Sequence, residues 1–110
     1  MVYETIARES SNQPLEAQVL VARVIKVRSD ERDLSPEEVC LQPKQFSCWD
    51  VKQKPRTKKD IETAKKAWNL AKTKHYDIKV NLYHDTSVIP YWTDKVKFVK
   101  QIGKLKFYYE

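Results

Sequence analysis

Residues 14–29 read PLEAQVLVARVIKVRS. Proline fits the first position of a helix, where its missing N–H has no intrahelical partner anyway. Behind it Leu15, Val19, Leu20, Val21, Val24, Ile25 and Val27 point around most of the circumference. A helix apolar all round has to be covered on all sides, so 14–29 is expected to be the centre of the core, with every other element wrapped around it. Upstream, Val2 to Ser11 predicts an amphipathic helix. Val2, Ile6 and Glu9 share one side of it, because seven residues nearly complete two turns. Downstream, Ser35-Pro36-Glu37-Glu38 is a capping box that opens a short helix ending near Leu41. Thr57 caps a longer one, expected to reach His75. Its apolar stripe is Ile61, Ala64, Trp68 and Ala71, and Lys58, Lys59, Lys65, Lys66 and Lys72 ride outside. His75 continues that stripe and reads as a packed histidine. From Lys95 to Tyr109 the pattern suggests a small hairpin around Gly103, although a helix over Thr93 to Gln101 fits as well. The expected class is mainly α with a small β element, as one domain over 1–110.

Composition limits what this fold can do. Of 110 residues, 41% are hydrophobic, enough for a core without metals or a disulfide framework and too many for a disordered chain. The longest apolar run, Val19 to Ala22, is far too short to cross a bilayer. The opening MVYETIARES lacks the apolar segment of a secretory signal. A single glycine excludes phosphate-binding loops and dinucleotide fingerprints. The 21 Lys and Arg against 15 Asp and Glu, net +6, suit an anionic partner: nucleic acid, a membrane surface or an acidic wall polymer. Cys40 and Cys48 read as buried thiols or as one disulfide closing a short loop. A zinc site combining them with His75 and His84 has suitable ligand types without a recognisable spacing.

Three segments are too particular to be scaffold alone. In Ala7 to Ser11, Glu9 sits at the end of a helix on its apolar side. Burial and the negative helix terminus both disfavour the ionised carboxylate, the condition a general acid needs. The same position also suits a solvated boundary glutamate paired with Arg8 or Arg23. Gln42 to Trp49 (QPKQFSCW) offers amides, a hydroxyl and two aromatic rings, the mix that binds sugars, or else a loop pinned to the core by Phe46 and Trp49. Asn81 to Trp92 would bring Tyr83 and His84 to a substrate, or cover the helices as an aromatic-rich loop.

In order along the chain, these blocks resemble the bacterial and phage cell-wall hydrolase family typified by the spore cortex-lytic enzymes. That family has an E-A-R-G-E-P-like motif and a G-Q-V-A-V-A-like helix. Here they become Glu9-Ser10-Ser11-Asn12-Gln13-Pro14 and Glu16 to Val24. Its Q-P-x-Q-F-S-x-W motif is reproduced in full by Gln42 to Trp49. An alanine-rich helix, Y-H, P-x-W, I-G and F-Y follow as Ala64 to Ala71, Tyr83-His84, Pro90 to Trp92, Ile102-Gly103 and Phe107-Tyr108. The resemblance implies a lysozyme-like fold of the lytic-transglycosylase type. It implies an enzyme that cuts between N-acetylmuramic acid and N-acetylglucosamine in peptidoglycan. The family's essential glutamate falls on Glu9, and Ser10 beside it is similar to the Glu-Ser pair of other lytic transglycosylases. Gln45, Phe46, Ser47, Trp49, Tyr83 and His84 are then the expected substrate-binding residues. The family pattern is broken at Gln13, which stands where a second glutamate is usual, at Asn12 in place of glycine, and near Leu105, where a histidine is often found.

One carboxyl suffices for transglycosylation, since the nucleophile is the sugar's own 6-hydroxyl. A hydrolase normally needs a second carboxyl, for which Asp50 and Asp85 are the candidates. The alternatives are a hydrolytic muramidase, a non-catalytic wall-binding or virion module, and a nucleic-acid binder built on Lys52 to Lys66 with Trp49 and Trp68. The expected partner is a peptidoglycan glycan strand, with no nucleic acid, no stable membrane insertion, no cofactor and no metal, in a monomer. A chain read this way suits a phage lysin, made in the host cytoplasm and released to the wall, or one carried on the virion.

Overall fold

The computed structural model describes residues 2–42, 57–73 and 78–110. Four helices lead into three strands: α1 (Val2–Ser10), α2 (Leu15–Arg32), α3 (Pro36–Leu41), α4 (Lys58–Ala71), β1 (Leu82–Asp85), β2 (Lys97–Ile102) and β3 (Leu105–Tyr109). Helix α2 is buried along its length, as its composition requires, and its two sides enter different clusters. Val19, Ala22 and Ile25 pack with Val2, Ile6 and Ala7 of α1, Val39 and Cys40 of α3, and Ala64, Ala67, Trp68 and Ala71 of α4. Ala17, Leu20, Val21 and Val24 pack with Val80, Leu105 and Phe107 on the sheet side. The molecule is therefore layered, helices on one side of α2 and sheet on the other.

The helix ends follow local chemistry. Pro14 is the N-cap of α2, one place before its expected position, because its ψ of 155° is extended. At the far end α2 runs three residues past Ser29. Asp33 takes a left-handed φ of 52° and its N–H bonds the Ser29 carbonyl, a conformation aspartate tolerates. Ser29 reads as a stop, but its side chain acts one turn later: its hydroxyl donates to Leu34 O at 2.5 Å. The capping box at α3 is complete, Glu38 N to Ser35 Oγ and Ser35 N to Glu38 Oε1 both at 3.1 Å. Helix α4 begins at its Thr57 cap and stops at Ala71, short of the expected His75. Thr73 turns its hydroxyl onto Leu70 O at 2.8 Å there, and His75 lies outside the described residues. Arg23 of α2 clasps the next connection, with Nε on Ile78 O at 2.9 Å and Nη1 on Ala71 O at 3.1 Å.

The hairpin is β2–β3, and Thr93–Lys95 forms only a short 3-10 turn before it. Strand β1 is an addition the sequence pattern did not announce. It pairs antiparallel with β3, Leu82 opposite Tyr108 and Asp85 opposite Leu105, giving the order β1-β3-β2. Four residues, LYHD, are too few to display a period of two, and their strand character comes from the partner. A bulge between Phe98 and Lys100 lets Val99 and Ile102, three apart, both pack on the α2 side.

Gly103 closes the hairpin with φ +57°, and a Cβ there would stand 2.5 Å from Gln13 Oε1. That oxygen accepts Lys104 N–H at 3.0 Å, tying the α1–α2 turn to the hairpin. Gly103→Ala is expected to lose about 1–3 kcal/mol from backbone strain and crowding together, read as a lower denaturant midpoint. In a Gln13→Ala background the same change should cost less, because the crowding part is gone.

Candidate active site

Glu9 lies in the last turn of α1, half-buried, where the Val2–Ile6 stripe runs out. Two other elements reach its carboxyl. The Tyr83 hydroxyl of β1 donates a hydrogen bond to it, and the Arg28 guanidinium of α2 faces it. Burial pushes the Glu9 pKa above the ordinary carboxylate value. The Tyr83 hydrogen bond and the Arg28 charge pull the other way without cancelling it. Among the described residues, no second carboxylate figures among the groups that shift it.

Arg28 is the neighbour of Glu9 that sequence reasoning missed. It is buried, with Nε donating to Asn81 O at 2.8 Å. Desolvation is the main cause of a pKa lowered to about 10, which leaves the guanidinium charged at neutral pH. Its signal was spacing: it follows Val24 by four and Ile25 by three, which puts a guanidinium on the buried side of α2. Arg8 pairs with Glu4 at 4.0 Å and Arg23 bonds the Ile78 and Ala71 carbonyls, while the cation that lowers the Glu9 pKa is Arg28.

Tyr83 packs its ring on Phe107, centroids 5.7 Å apart, on the sheet face that looks toward α2. His84, next in the strand, necessarily points to the other face. This corrects the expectation that both meet one substrate. His84 is buried in an aromatic cluster, with Tyr108 stacked at 5.3 Å and Trp92 edge-on at 5.8 Å. Its Nδ1 lies 2.8 Å from Asp85 O and its Nε2 2.9 Å from the Tyr108 hydroxyl. A carbonyl only accepts, so Nδ1 carries a proton, and Nε2 of the neutral ring accepts from Tyr108. Ser10 needs a second correction. It is fully buried, its hydroxyl donating to Ile6 O at 2.7 Å within α1. One residue on from Glu9 turns the side chain about 100° around the helix, into the core.

Asp85 does not partner Glu9. It is exposed at the end of β1, its Oδ1 accepting Ser87 N–H at 2.8 Å, and that bond holds its pKa low. Cys40 is a buried free thiol whose pKa burial raises, far from the electropositive exposure a reactive cysteine needs. With His84 beyond the sheet, the zinc combination with Cys40 does not form. Among the described residues no group of three His, Cys, Asp or Glu could hold a metal. Gln45, Phe46, Ser47, Cys48, Trp49 and Asp50 lie outside the described residues. Three surface concavities lie along α4, between α2 and Tyr109, and beside α3; none is lined by Glu9.

The cell wall hydrolase family pattern matches residues 12–108, nearly the whole chain. The chain belongs to the cell wall hydrolase family. Arg28, Tyr83 and the QPKQFSCW block fall inside the match, and Glu9 stands three residues before it. The fold is that of the catalytic domain of the germination-specific lytic transglycosylase SleB from Bacillus anthracis, with TM-score 0.73 at 25% identity, over 97% of this chain and 89% of that one. The catalytic domain of the Bacillus cereus SleB protein matches with TM-score 0.70 at 21% identity, over 97% and 85% of the two chains, and shares the fold. No curated protein matches the sequence. No helix among the described residues of this cell wall hydrolase is long and apolar enough to cross a membrane.

The raised Glu9 pKa fixes a sign for stability. A carboxyl whose folded pKa exceeds its unfolded one contributes stability that is fully present below the unfolded pKa. That contribution is lost as pH rises through the folded value. Glu9→Gln, which cannot ionise, is expected to match the wild-type melting temperature near pH 4 and to exceed it at pH 7. Thermal melts across that range read the difference.

Proposed function

We propose that this cell wall hydrolase degrades peptidoglycan as a lytic transglycosylase, with Glu9 as its acid and then its base. The substrate bond joins N-acetylmuramic acid to N-acetylglucosamine. Protonated Glu9 gives its proton to the glycosidic oxygen as that bond breaks. The ionised carboxylate then takes the proton of the muramic acid 6-hydroxyl as that oxygen attacks C1. The chain ends in a 1,6-anhydro sugar, the carboxyl returns to its starting state, and no water is consumed.

The observation that carries this reading is a carboxyl with no second carboxylate acting on it among the described residues, held above its ordinary pKa by burial yet touched by a donor and a cation. Burial favours the protonated form of Glu9. The Tyr83 hydroxyl and Arg28 stabilise the carboxylate left after the first transfer, so neither protonation state is inaccessible. Tyr83 touches the reacting group, whereas Arg28 acts through charge. The name of the Bacillus anthracis relative, a lytic transglycosylase, supports the same reaction. A hydrolytic muramidase would ordinarily need a second carboxyl within about 5–9.5 Å; of the two candidates Asp85, capping its own turn, does not supply it, and Asp50 lies outside the described residues.

Purified peptidoglycan digested by the wild type is expected to yield anhydro-muramic ends by mass spectrometry, and by Glu9→Gln none. Reducing ends from the wild type would mean hydrolysis instead. The pH profile gives a second check. Activity needs protonated Glu9 and falls on the alkaline side as the carboxyl ionises. Tyr83→Phe removes a contact that lowers the Glu9 pKa, so the alkaline limb is expected to move to higher pH, with a lower maximum rate. A limb that stays in place would detach Tyr83 from the titrating group.

A further inference from the structure

On the far face of the sheet, Tyr108, His84, Phe98 and Trp92 form an aromatic stack that the proposed chemistry does not use. Tyr108 sits at its centre, 5.2 Å from Trp92, 5.3 Å from His84 and 5.5 Å from Phe98, ring centre to ring centre. The chain between β1 and β2 is bent over this stack by consecutive turns, Val88 N to Asp85 O, Thr93 N to Pro90 O and Lys95 N to Trp92 O. Those turns hold large apolar side chains outward. Ile89 is 86% exposed, Tyr91 84%, Val88 54% and Phe98 51%. Single exposed apolar residues need no explanation, but a group of them seated on a fixed aromatic base does. The charge around them is mainly positive: from Thr86 to Lys104 four lysines, one of them (Lys100) paired with Glu16, stand against one acid, Asp94. Lys95 holds its ammonium 5.7 Å from the Tyr91 ring centre, and Lys106, opposite His84 in the sheet register, lies on the same face of β3 as Tyr108.

We infer that this outer face, with Tyr91 and Phe98 as stacking surfaces and Lys95 and Lys106 beside them, is a second binding site for an anionic glycan strand of the cell wall. Ring faces suit the apolar faces of pyranose sugars, and the lysines suit the carboxylates that peptidoglycan carries along its length. The inference rests on the reading of the chain as a peptidoglycan-degrading enzyme and adds to it a site across β1 from Glu9. Tyr83 and His84 are adjacent residues on opposite faces, so glycan held on this face keeps the enzyme on a polymer while Glu9 works on the other side. Such a site matters for an insoluble, multivalent substrate and not for a short fragment.

The test separates binding from cleavage. Glu9→Gln protein, which binds without consuming its substrate, is co-sedimented with intact peptidoglycan sacculi, with and without Tyr91→Ala and Phe98→Ala together. Both side chains are exposed, and unchanged melting temperatures check the fold. The double change is expected to weaken sacculus binding roughly tenfold, to be reversed in part by Tyr91→Trp, and to grow milder in high salt. With Glu9 intact, the double variant should lose activity on sacculi and keep its rate on short soluble fragments. Equal sacculus affinity with and without the patch, in a protein that does cleave peptidoglycan, overturns the inference and leaves the catalytic reading standing. So does a patch-dependent association with anionic phosphatidylglycerol vesicles, or a patch-dependent dimer in sedimentation velocity, without a change in sacculus binding. A wild type that neither binds sacculi nor releases products removes both.

Discussion

Helix α2 leaves only a narrow polar edge, around Lys26 and Asp30, to water. Eleven of its residues are buried, from Ala17 to Ser29, and one layer of neighbours cannot cover a cylinder. Helices α1, α3 and α4 take one side, and the sheet takes the other. The site is a by-product of that arrangement. Where the two layers meet along α2, an element from each can reach the same point, and Tyr83 packs against both clusters. Glu9 comes from the helical layer, Tyr83 from the sheet and Arg28 from α2 itself. Three side chains distant in sequence are thus held by elements that cannot shift independently without exposing apolar surface, which is the support a reacting carboxyl needs.

The electrostatics of the trio is a balance of unequal opposites. A carboxyl buried with nothing beside it holds its proton too firmly to act as an acid on demand. One fully salt-bridged gives it up before it is needed. Desolvation is the largest influence on Glu9, and the Tyr83 hydrogen bond and Arg28 charge reduce it in that order. Arg28 is itself desolvated, and its value of about 10 leaves it cationic. Its Nε on the Asn81 carbonyl fixes the guanidinium at the entry to β1, so the strand that delivers Tyr83 also positions the cation. The same carboxyl can then lose and regain a proton in one catalytic cycle.

The four helices were legible because each carried its own local signal: the side shared by Val2, Ile6 and Glu9 in α1, the proline before α2 with the apolar run behind it, the Ser35 capping box of α3 and the Thr57 cap of α4. The hairpin was legible through Gly103. Boundaries slipped where a side chain acted away from its own position, as Ser29 does toward Leu34 and Thr73 toward Leu70. Glu9 stood out because an acid ended an apolar stripe. Arg28 stood on an equally informative position and was hidden by the valines and isoleucine around it. The order of the motifs carried the family, since no single block outside Gln42 to Trp49 is distinctive. Strand β1 carried no local signal at all. Without it, Tyr83 and His84 look like neighbours serving one purpose, and Ser10 looks like the companion of Glu9, when the alternation of a strand and the turn of a helix separate each pair.

That separation has a structural consequence. In a strand, one residue of slip exchanges the two faces. A slip of β1 against β3 would withdraw the Tyr83 hydroxyl from Glu9 and bury it among Trp92 and Tyr108, while driving His84 toward α2. The register is held from both ends. Asn81 receives Glu110 N–H at 3.0 Å on its Oδ1 and gives its own side-chain N–H to Glu31 at 3.0 Å, while Thr86 N bonds Lys104 O at 2.8 Å past the other end of the strand. Lys104 is also the residue whose N–H is held by Gln13. The turn between α1 and α2, which follows Glu9 in the chain, is therefore tied to the hairpin that sets the register of Tyr83. The amide oxygen of Gln13 makes this backbone contact without adding a negative charge next to the Glu9 segment. A carboxylate there would add that charge and disfavour the ionised form of Glu9 further. The amide keeps the tie and leaves the balance to burial, Tyr83 and Arg28.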